Sequence, residues 1–308
     1  APDEFRRHNF VKQGGTLAVS QVIYEAVDLS QLMDRAFELS DYHAKRERFT
    51  RENSGARVKK GMGFAAFLHG AGFTGSGEEF LASVAAVEAT AEGRVRVLAA
   101  STEIGQGTNT VFSQIAADAL GLDPALIEIA PPDTAAVPNS GPTVASRTTM
   151  IVGKLVESAA LGLKQTLVSS GLLHDKFSTE DFHRACAEYI RKHGALRATS
   201  QYAPPPGIHW DDEKYQGDAY GAYAWAVYVA EVSVDMATCE IRVDDFVAVQ
   251  EVGKVIHPVL AAGQIEGGVA QAIGYALYEN VVWQEGRMVN AQMTNYIMPT
   301  SADVPPIR

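Results

Sequence analysis

The chain has 308 residues, of which 46% are hydrophobic and 20% charged, and this balance excludes a disordered, collagen-like or coiled-coil protein. A net charge of -11 disfavours binding to duplex nucleic acid, and no apolar run reaches the roughly 18 residues that a membrane-spanning helix needs. The two cysteines, Cys186 and Cys239, are far apart. Their spacing excludes a disulfide framework and an iron–sulfur cluster held by this chain alone, and it favours a reducing, cytoplasmic location.

Residues 17–50 are predicted to be helical, because apolar side chains from Val19 to Phe37 recur at helical spacing. Basic side chains then crowd the stretch from Lys45 to Lys60. The ordinary interpretation is a solvated helix end and a linker, and the alternative is contact with an acidic partner or an anionic group. We therefore expect a helical N-terminal segment and linker over 1–60. A larger α+β region is expected over 61–308, with two subdomains divided near 171–215.

From residue 61 onwards, short apolar stretches alternate with long amphipathic ones, which predicts an α+β fold of strand hairpins and mixed sheets packed with long helices. Thr108 or Asn109 is expected to cap the first long helix, and Gly121 to end it. The predicted strands are a buried strand at 61–68, a hairpin of 80–91 and 93–100, a strand at 126–129, and a long pair at 221–235 and 238–252. The predicted helices are 109–120, 148–171, 181–191 and 264–279.

Residues 70–75 form the pattern Gly-x-Gly-x-x-Gly, which we call the glycine turn. In dinucleotide-binding proteins this pattern follows a strand and opens a helix. A strand is predicted before the turn, but the residues after it do not have a helical pattern. A glycine-rich turn whose backbone passes close to another group is therefore favoured over a nucleotide site.

Residues 102–108, which we call the glutamine loop, place Gln106 and Gly107 directly before the helix predicted at 109–120. Glycine lets the backbone approach a ligand, and a helix start favours an anion such as phosphate. A well-capped turn explains the same residues equally well.

Residues 139–148, which we call the serine loop, also combine small and polar residues and lead into a long helix. Two such loops suggest one large polar ligand that carries phosphate, and the alternative is two independent caps. A third glycine-rich segment, 263–271, is predicted to be a helix start with Gln264 at its mouth. No Ser-His-Asp arrangement, HExxH pair or CxxC pair supports hydrolytic chemistry.

Four ordered segments together resemble the second half of the molybdenum-cofactor-binding portion of the xanthine dehydrogenase/aldehyde oxidase family, the molybdenum hydroxylases. The resemblance runs from about Asp3 to the C-terminus, and the sequence is most similar to those of bacterial members of the family. The segments that carry it are Phe64 with its flanking glycines, residues 103–107, residues 138–148 and residues 263–267.

The resemblance implies a role for eleven residues. The residues implied to bind the molybdopterin cofactor are Gln106, Gly107, Thr108, Thr143, Ala145, Ser146, Thr148 and Gln264. Those implied to contact substrate are Phe64, which would stack on its ring, and Phe67 and Leu68, which would line the access channel. No residue of the chain is implied to ligate the metal directly.

The resemblance also implies that the catalytic base, a glutamate, follows Arg308, so no catalytic residue is expected in this chain. The complete enzyme would oxidise an aromatic heterocycle, purine-like or pyridine-like, or an aldehyde, with oxygen from water. Its cofactor would be molybdenum-molybdopterin in the cytosine dinucleotide form. Its partners would be a complementary half of the molybdenum domain and subunits that carry iron–sulfur clusters and FAD. The alternatives are a non-catalytic cofactor-binding or assembly protein and an NAD-dependent dehydrogenase.

Overall fold

The computed structural model describes all 308 residues and confirms an α+β fold. The helices are α1 (Pro2–Asn9), α2 (Leu29–Ser40), α3 (Tyr42–Glu52), α4 (Gly77–Leu81), α5 (Thr108–Leu120), α6 (Gly153–Ser169), α7 (Thr179–His193) and α8 (Pro258–Leu277). The strands are β1 (Val58–Gly70), β2 (Val84–Ala89), β3 (Val95–Leu98), β4 (Ile127–Ile129), β5 (Leu196–Gln201), β6 (Trp210–Asp211), β7 (Gln216–Gly217), β8 (Tyr223–Asp235), β9 (Ile241–Glu251), β10 (Trp283–Gln284) and β11 (Arg287–Met288). No helix is long and apolar enough to span a bilayer.

Two sheets, each covered by helices, organise the chain. In the first, the antiparallel strands follow the order β1-β8-β9, and α2 packs on β8 and β9 around buried Met33 and Trp225. In the second, the order is β4-β3-β2-β5, and α5, α6 and α7 bury side chains such as Phe112, Leu163 and Phe182 against it. Because α2 shares a core with strands some 190 residues later, the N-terminal segment is part of the first layer. The boundaries at 60 and near 171–215 remain predictions.

Several predicted elements are confirmed and others need correction. Helix α5 ends at Gly121 as predicted, but its N-cap is Gly107 rather than Thr108 or Asn109. Residues 17–28 are not helical, because Asp28 caps α2 by accepting a hydrogen bond from the backbone of Ser30. The strand predicted as buried is β1, a half-exposed edge strand that pairs only with β8. Helices α1 and α4, strand β5 and the two short hairpins β6–β7 and β10–β11 were not predicted from the sequence.

The basic stretch at 45–60 contacts acidic partners that belong to the same chain. Lys45 Nζ lies 2.6 Å from a carboxylate oxygen of Glu231, which is buried on β8, and Lys60 Nζ approaches the same carboxylate at 3.7 Å. Arg57 pairs with Asp235 at 2.7 Å. These ion pairs, together with those of Lys45 with Asp245 and of Lys60 with Asp244, fasten α3 and the start of β1 to β8 and β9, so these cations are paired within the chain.

The two cysteines differ in environment, which predicts different reactivity. Cys186 is buried on α7, and burial raises the pKa of its thiol to about 12, whereas Cys239 is exposed. Because the thiolate is the reactive form, we expect iodoacetamide at about pH 8 to alkylate Cys239 alone in the folded chain. Mass spectrometry before and after denaturation checks this, and modification of Cys186 in the folded chain would contradict it.

Candidate cofactor-binding site

The glutamine loop is held in shape by its own two polar side chains. The carboxylate of Glu103 accepts hydrogen bonds from the backbone N–H groups of Gly105, Gly107 and Asn109, at 2.8, 3.0 and 3.0 Å. These bonds, that from Asn109 above all, hold the pKa of Glu103 below its ordinary value. The start of α5 is therefore already capped by an internal anion, which at these N–H groups favours the well-capped turn over a ligand phosphate.

The side chain of Gln106 closes the same loop from within. Its amide nitrogen donates to the carbonyl of Thr102 at 2.9 Å and to the hydroxyl of Thr108 at 2.8 Å, and its carbonyl accepts from the backbone of Ile104 at 2.7 Å. Thr108 is buried, while Gln106 and Gly107 remain partly exposed at the surface of the loop. The loop is thus preorganised before any ligand arrives.

The serine loop and the glutamine loop meet directly, so they are not two independent caps. The backbone N–H of Thr102 donates to the hydroxyl of Thr143 at 2.9 Å. The hydroxyl of Ser140 accepts a hydrogen bond, at 2.9 Å, from the backbone N–H of Ala100, which lies just before the glutamine loop. Ala145 and Ser146 both adopt left-handed backbone angles, with φ of 55° and 52°. Ser146 is exposed, and Thr148 opens a turn of π-helix that continues into α6.

The glycine turn also reaches the serine loop, because the backbone N–H of Gly72 donates to the carbonyl of Ala145 at 2.9 Å. A Cβ at Gly70 would lie 2.2 Å from the ring of Tyr220, and one at Gly75 would lie 2.2 Å from the indole of Trp210. The chain's own aromatic rings therefore occupy the space beside these glycines. The strand before the turn pairs antiparallel, and the turn is followed by the five-residue α4, which excludes a dinucleotide-binding βαβ unit here.

The first turns of α8 lie beside the glutamine loop. Its N-cap is His257, and Pro258 occupies its first position. The helix therefore starts six residues before Gln264, and the prediction of a helix start at 263–271 is wrong. The side chain of Leu260 packs against Gly107, where a Cβ would lie 2.4 Å from its Cδ1 atom. Gln264 follows one turn later on the same face, about 6 Å along the axis, and is exposed.

The three aromatic and aliphatic residues predicted to contact substrate are not brought together. Phe64 packs edge-on against Phe37 and Tyr42 on the α2 side of the sheet, with Arg6 4.3 Å above its ring. Leu68 lies on that face too, whereas Phe67 lies on the opposite face. Phe64 is also six residues, or about 20 Å along the strand, from Gly70. The substrate-binding roles of these three residues stay predictions.

Phe64 has a measurable packing role. Replacing it by alanine is expected to lower the free energy of unfolding by about 2–3 kcal/mol, because this half-buried ring fills the space between α2 and β1. Urea unfolding measures the loss, and Phe80→Ala, at a ring that is 81% exposed, is the control. Equal effects of the two substitutions would contradict the packing role.

Sequence reasoning missed Glu78 and Arg147, which form a buried ion pair between the glycine turn and the serine loop. Arg147 Nη2 lies 2.7 Å from the carboxylate of Glu78, and the residues are only 1% and 4% exposed. The sequence signal was an arginine inside a loop of otherwise small residues. Its partner is 69 positions away and no local pattern identifies it.

Comparison with known proteins supports the resemblance. A model of the molybdopterin cofactor-binding domain matches residues 35–305. The putative xanthine dehydrogenase molybdenum-binding subunit XdhA of Escherichia coli is 24% identical over 99% of this chain and 42% of its own length. The xanthine dehydrogenase/oxidase of Gallus gallus is 30% identical over 99% of this chain and 22% of its own.

A solved structure gives the same result at the level of the fold. Quinoline 2-oxidoreductase from Pseudomonas putida superimposes with a TM-score of 0.81 and 26% identity, over 100% of this chain and 42% of that one. The chain thus spans less than half the length of these proteins.

Proposed function

Because this chain belongs to the molybdopterin cofactor-binding domain family of the molybdenum hydroxylases, we propose that it holds the molybdenum cofactor where the glutamine loop, the serine loop and α8 converge. The observation that carries the proposal is the hydrogen bond from Thr102 to Thr143, which joins the two loops, together with the contact of Leu260 with Gly107. The whole protein would hydroxylate an aromatic heterocycle, purine-like or pyridine-like, or an aldehyde.

The residues present fit a polar group with many acceptors. Gly105 has open space beside it, with nothing within 4 Å of where a Cβ would lie, and Ser146 and Gln264 are exposed with free donor and acceptor capacity at their ends. We assign cofactor binding to the residues at this convergence, namely Gln106, Gly107, Thr108, Thr143, Ala145, Ser146, Thr148 and Gln264. Because Gln106 and Thr108 bond to each other, they would act mainly by fixing the loop backbone.

The bound cofactor would supply the oxidation of a substrate carbon with oxygen taken from water. The chain's own residues would orient the cofactor through loops that are rigid before binding, which reduces the entropy lost on binding. We assign the role of general base to no residue of this chain. We propose that a glutamate that follows Arg308 in the whole protein is the general base. The cytosine dinucleotide form of the cofactor is likewise part of the proposal.

Helix α8 supports the proposal of a complementary half of the molybdenum domain. Its 20 residues contain one charged side chain, Glu266, yet only Val269, Ile273 and Gly274 are buried. Val259 and Tyr275 are 75% and 84% exposed. Large apolar side chains such as these are normally enclosed by protein, so we propose that the complementary half covers α8.

Electron transfer is assigned to partner subunits with iron–sulfur clusters and FAD. The two cysteines of this chain cannot hold a cluster between them, because Cys186 is buried on α7 and Cys239 lies exposed at the β8–β9 turn. Two unpaired thiols also suit the reducing environment of the cytoplasm, which is the proposed location.

The test is to produce the chain together with the neighbouring reading frames and to measure molybdenum by elemental analysis and turnover with quinoline, xanthine and benzaldehyde. We expect bound molybdenum and oxidation of one of these classes with a dye as the electron acceptor. Bound molybdenum without turnover would favour the non-catalytic or assembly function. Absence of molybdenum from the assembled protein would contradict the proposed function.

A further inference from the structure

In the buried pair Glu78–Arg147, the arginine is bonded to three other groups of the chain in addition to the carboxylate of Glu78. Arg147 donates from Nε and Nη2 to the Glu78 carboxylate, at 2.9 and 2.7 Å. Its Nη1 donates to the backbone carbonyls of Ser140 and Pro142, at 2.8 and 3.1 Å. Its Nη2 also donates to the hydroxyl of Ser83 at 2.6 Å. One planar guanidinium therefore binds the serine loop, the loop before β2 and the helix α4 at once.

The carboxylate of Glu78 fixes the other side of the junction. It accepts the backbone N–H of Phe73 at 3.1 Å, and a Cβ at Gly72 would lie only 3.2 Å from its Oε1 atom. The backbone N–H of Gly72 in turn donates to the carbonyl of Ala145. The pair and this hydrogen bond therefore enclose the glycine turn and the serine loop in a closed set of contacts.

The residues next to Arg147 are strained in the conformation that these contacts hold. Ala145 and Ser146 both have positive φ, which is unfavourable for residues with a Cβ and persists only where the surroundings impose it. Arg147 follows them directly, and its guanidinium donates hydrogen bonds to the carbonyls of Ser140 and Pro142, which precede them. A buried ion pair is a poor source of net stability compared with packed apolar side chains. A role in fixing one loop conformation explains the pair better.

We propose that Glu78 and Arg147 are positioning residues, which hold Ala145 and Ser146 in the strained conformation that receives the molybdenum cofactor. The inference rests on the proposed function for its ligand, but the ordering of the loop is independent of it. The guanidinium would act through the backbone of the serine loop, to which it is bonded, rather than on substrate or cofactor directly.

The test uses Arg147→Lys, which keeps the positive charge for Glu78 but cannot reach both carbonyls in the planar arrangement of arginine. Arg35→Lys, in an exposed ion pair with Glu38, is the matched control. Hydrogen–deuterium exchange of residues 139–148, with α6 as an internal reference, and molybdenum per chain are measured in the assembled protein at a temperature where all variants are folded.

We expect Arg147→Lys to make exchange in the serine loop about tenfold faster while α6 is unchanged, and to lower the molybdenum content about tenfold or more. Loss of protection in α6 as well would show a purely structural role and overturn the proposal. A variant with the same exchange rate and molybdenum content as the wild type would also overturn it. If the wild-type assembly holds no molybdenum, the proposed function fails, whereas the exchange comparison still decides whether the pair orders the loop.

Discussion

Replacing Arg147 by methionine is expected to lower the free energy of unfolding by about 3–5 kcal/mol, because the Glu78 carboxylate would remain buried without its cation. The hydroxyl of Ser83 and the carbonyls of Ser140 and Pro142 would lose their donor at the same time. Each buried acceptor left without a partner adds to the cost. Urea unfolding followed by circular dichroism measures the change.

Arg35→Met removes the same atoms from an exposed pair on α2 and serves as the control, with an expected change below about 1 kcal/mol. The double variant Glu78→Leu/Arg147→Met should be more stable than Arg147→Met alone, since no buried charge remains. If both single arginine variants lost the same small amount, the buried pair would not be an important contributor to stability.

Local sequence patterns predicted those parts of the fold that local chemistry determines. The turn at 235–238 between β8 and β9 follows from two alternating apolar stretches, and the end of α5 follows from Gly121. The start of α8 was predicted at Gln264, after Gly263, which is too late. The better signal is His257 followed by proline at the first helical position. The missed strand β5 pairs with β2, more than 100 residues earlier, and short local windows carry no such information.

The candidate site was predictable as a set of loops but not as a network. The order of the glutamine loop, the serine loop and α8 is visible in the sequence, whereas the hydrogen bond that joins the two loops links residues 41 positions apart. The ion pair that joins the serine loop to α4 links residues 69 positions apart. Two features of the site had a local signal. A glutamate shortly before a helix can satisfy N–H groups at the helix start, as Glu103 does for Asn109 six residues later. The two-residue period of a strand also places Phe64 and Phe67 on opposite faces.

Gly107→Val is expected to destabilise the fold by about 3–5 kcal/mol and to release the cofactor from the assembled protein. Gly107 has φ of +91°, which a β-branched residue adopts only with strain. Its new Cβ would also lie 2.4 Å from Leu260 Cδ1 and 3.1 Å from its Cγ, so the side chain of Leu260 would have to leave its position against the glutamine loop. Because Gln264 lies one turn further along α8, repacking of Leu260 disturbs the contact between two of the segments assigned to cofactor binding.

Gly105→Val separates backbone strain from the contact with α8. Gly105 has φ of +100° but no atom of the chain within 4 Å of its ideal Cβ position, so its substitution lowers the stability of the chain through backbone strain, with an expected cost of about 1–2 kcal/mol. Adding Leu260→Ala to Gly107→Val removes the clash and should restore part of the molybdenum content, measured by elemental analysis after gel filtration. If Gly105→Val and Gly107→Val lose stability to the same extent, the contact between the glutamine loop and α8 does not shape the loop, because backbone strain alone would then account for both losses.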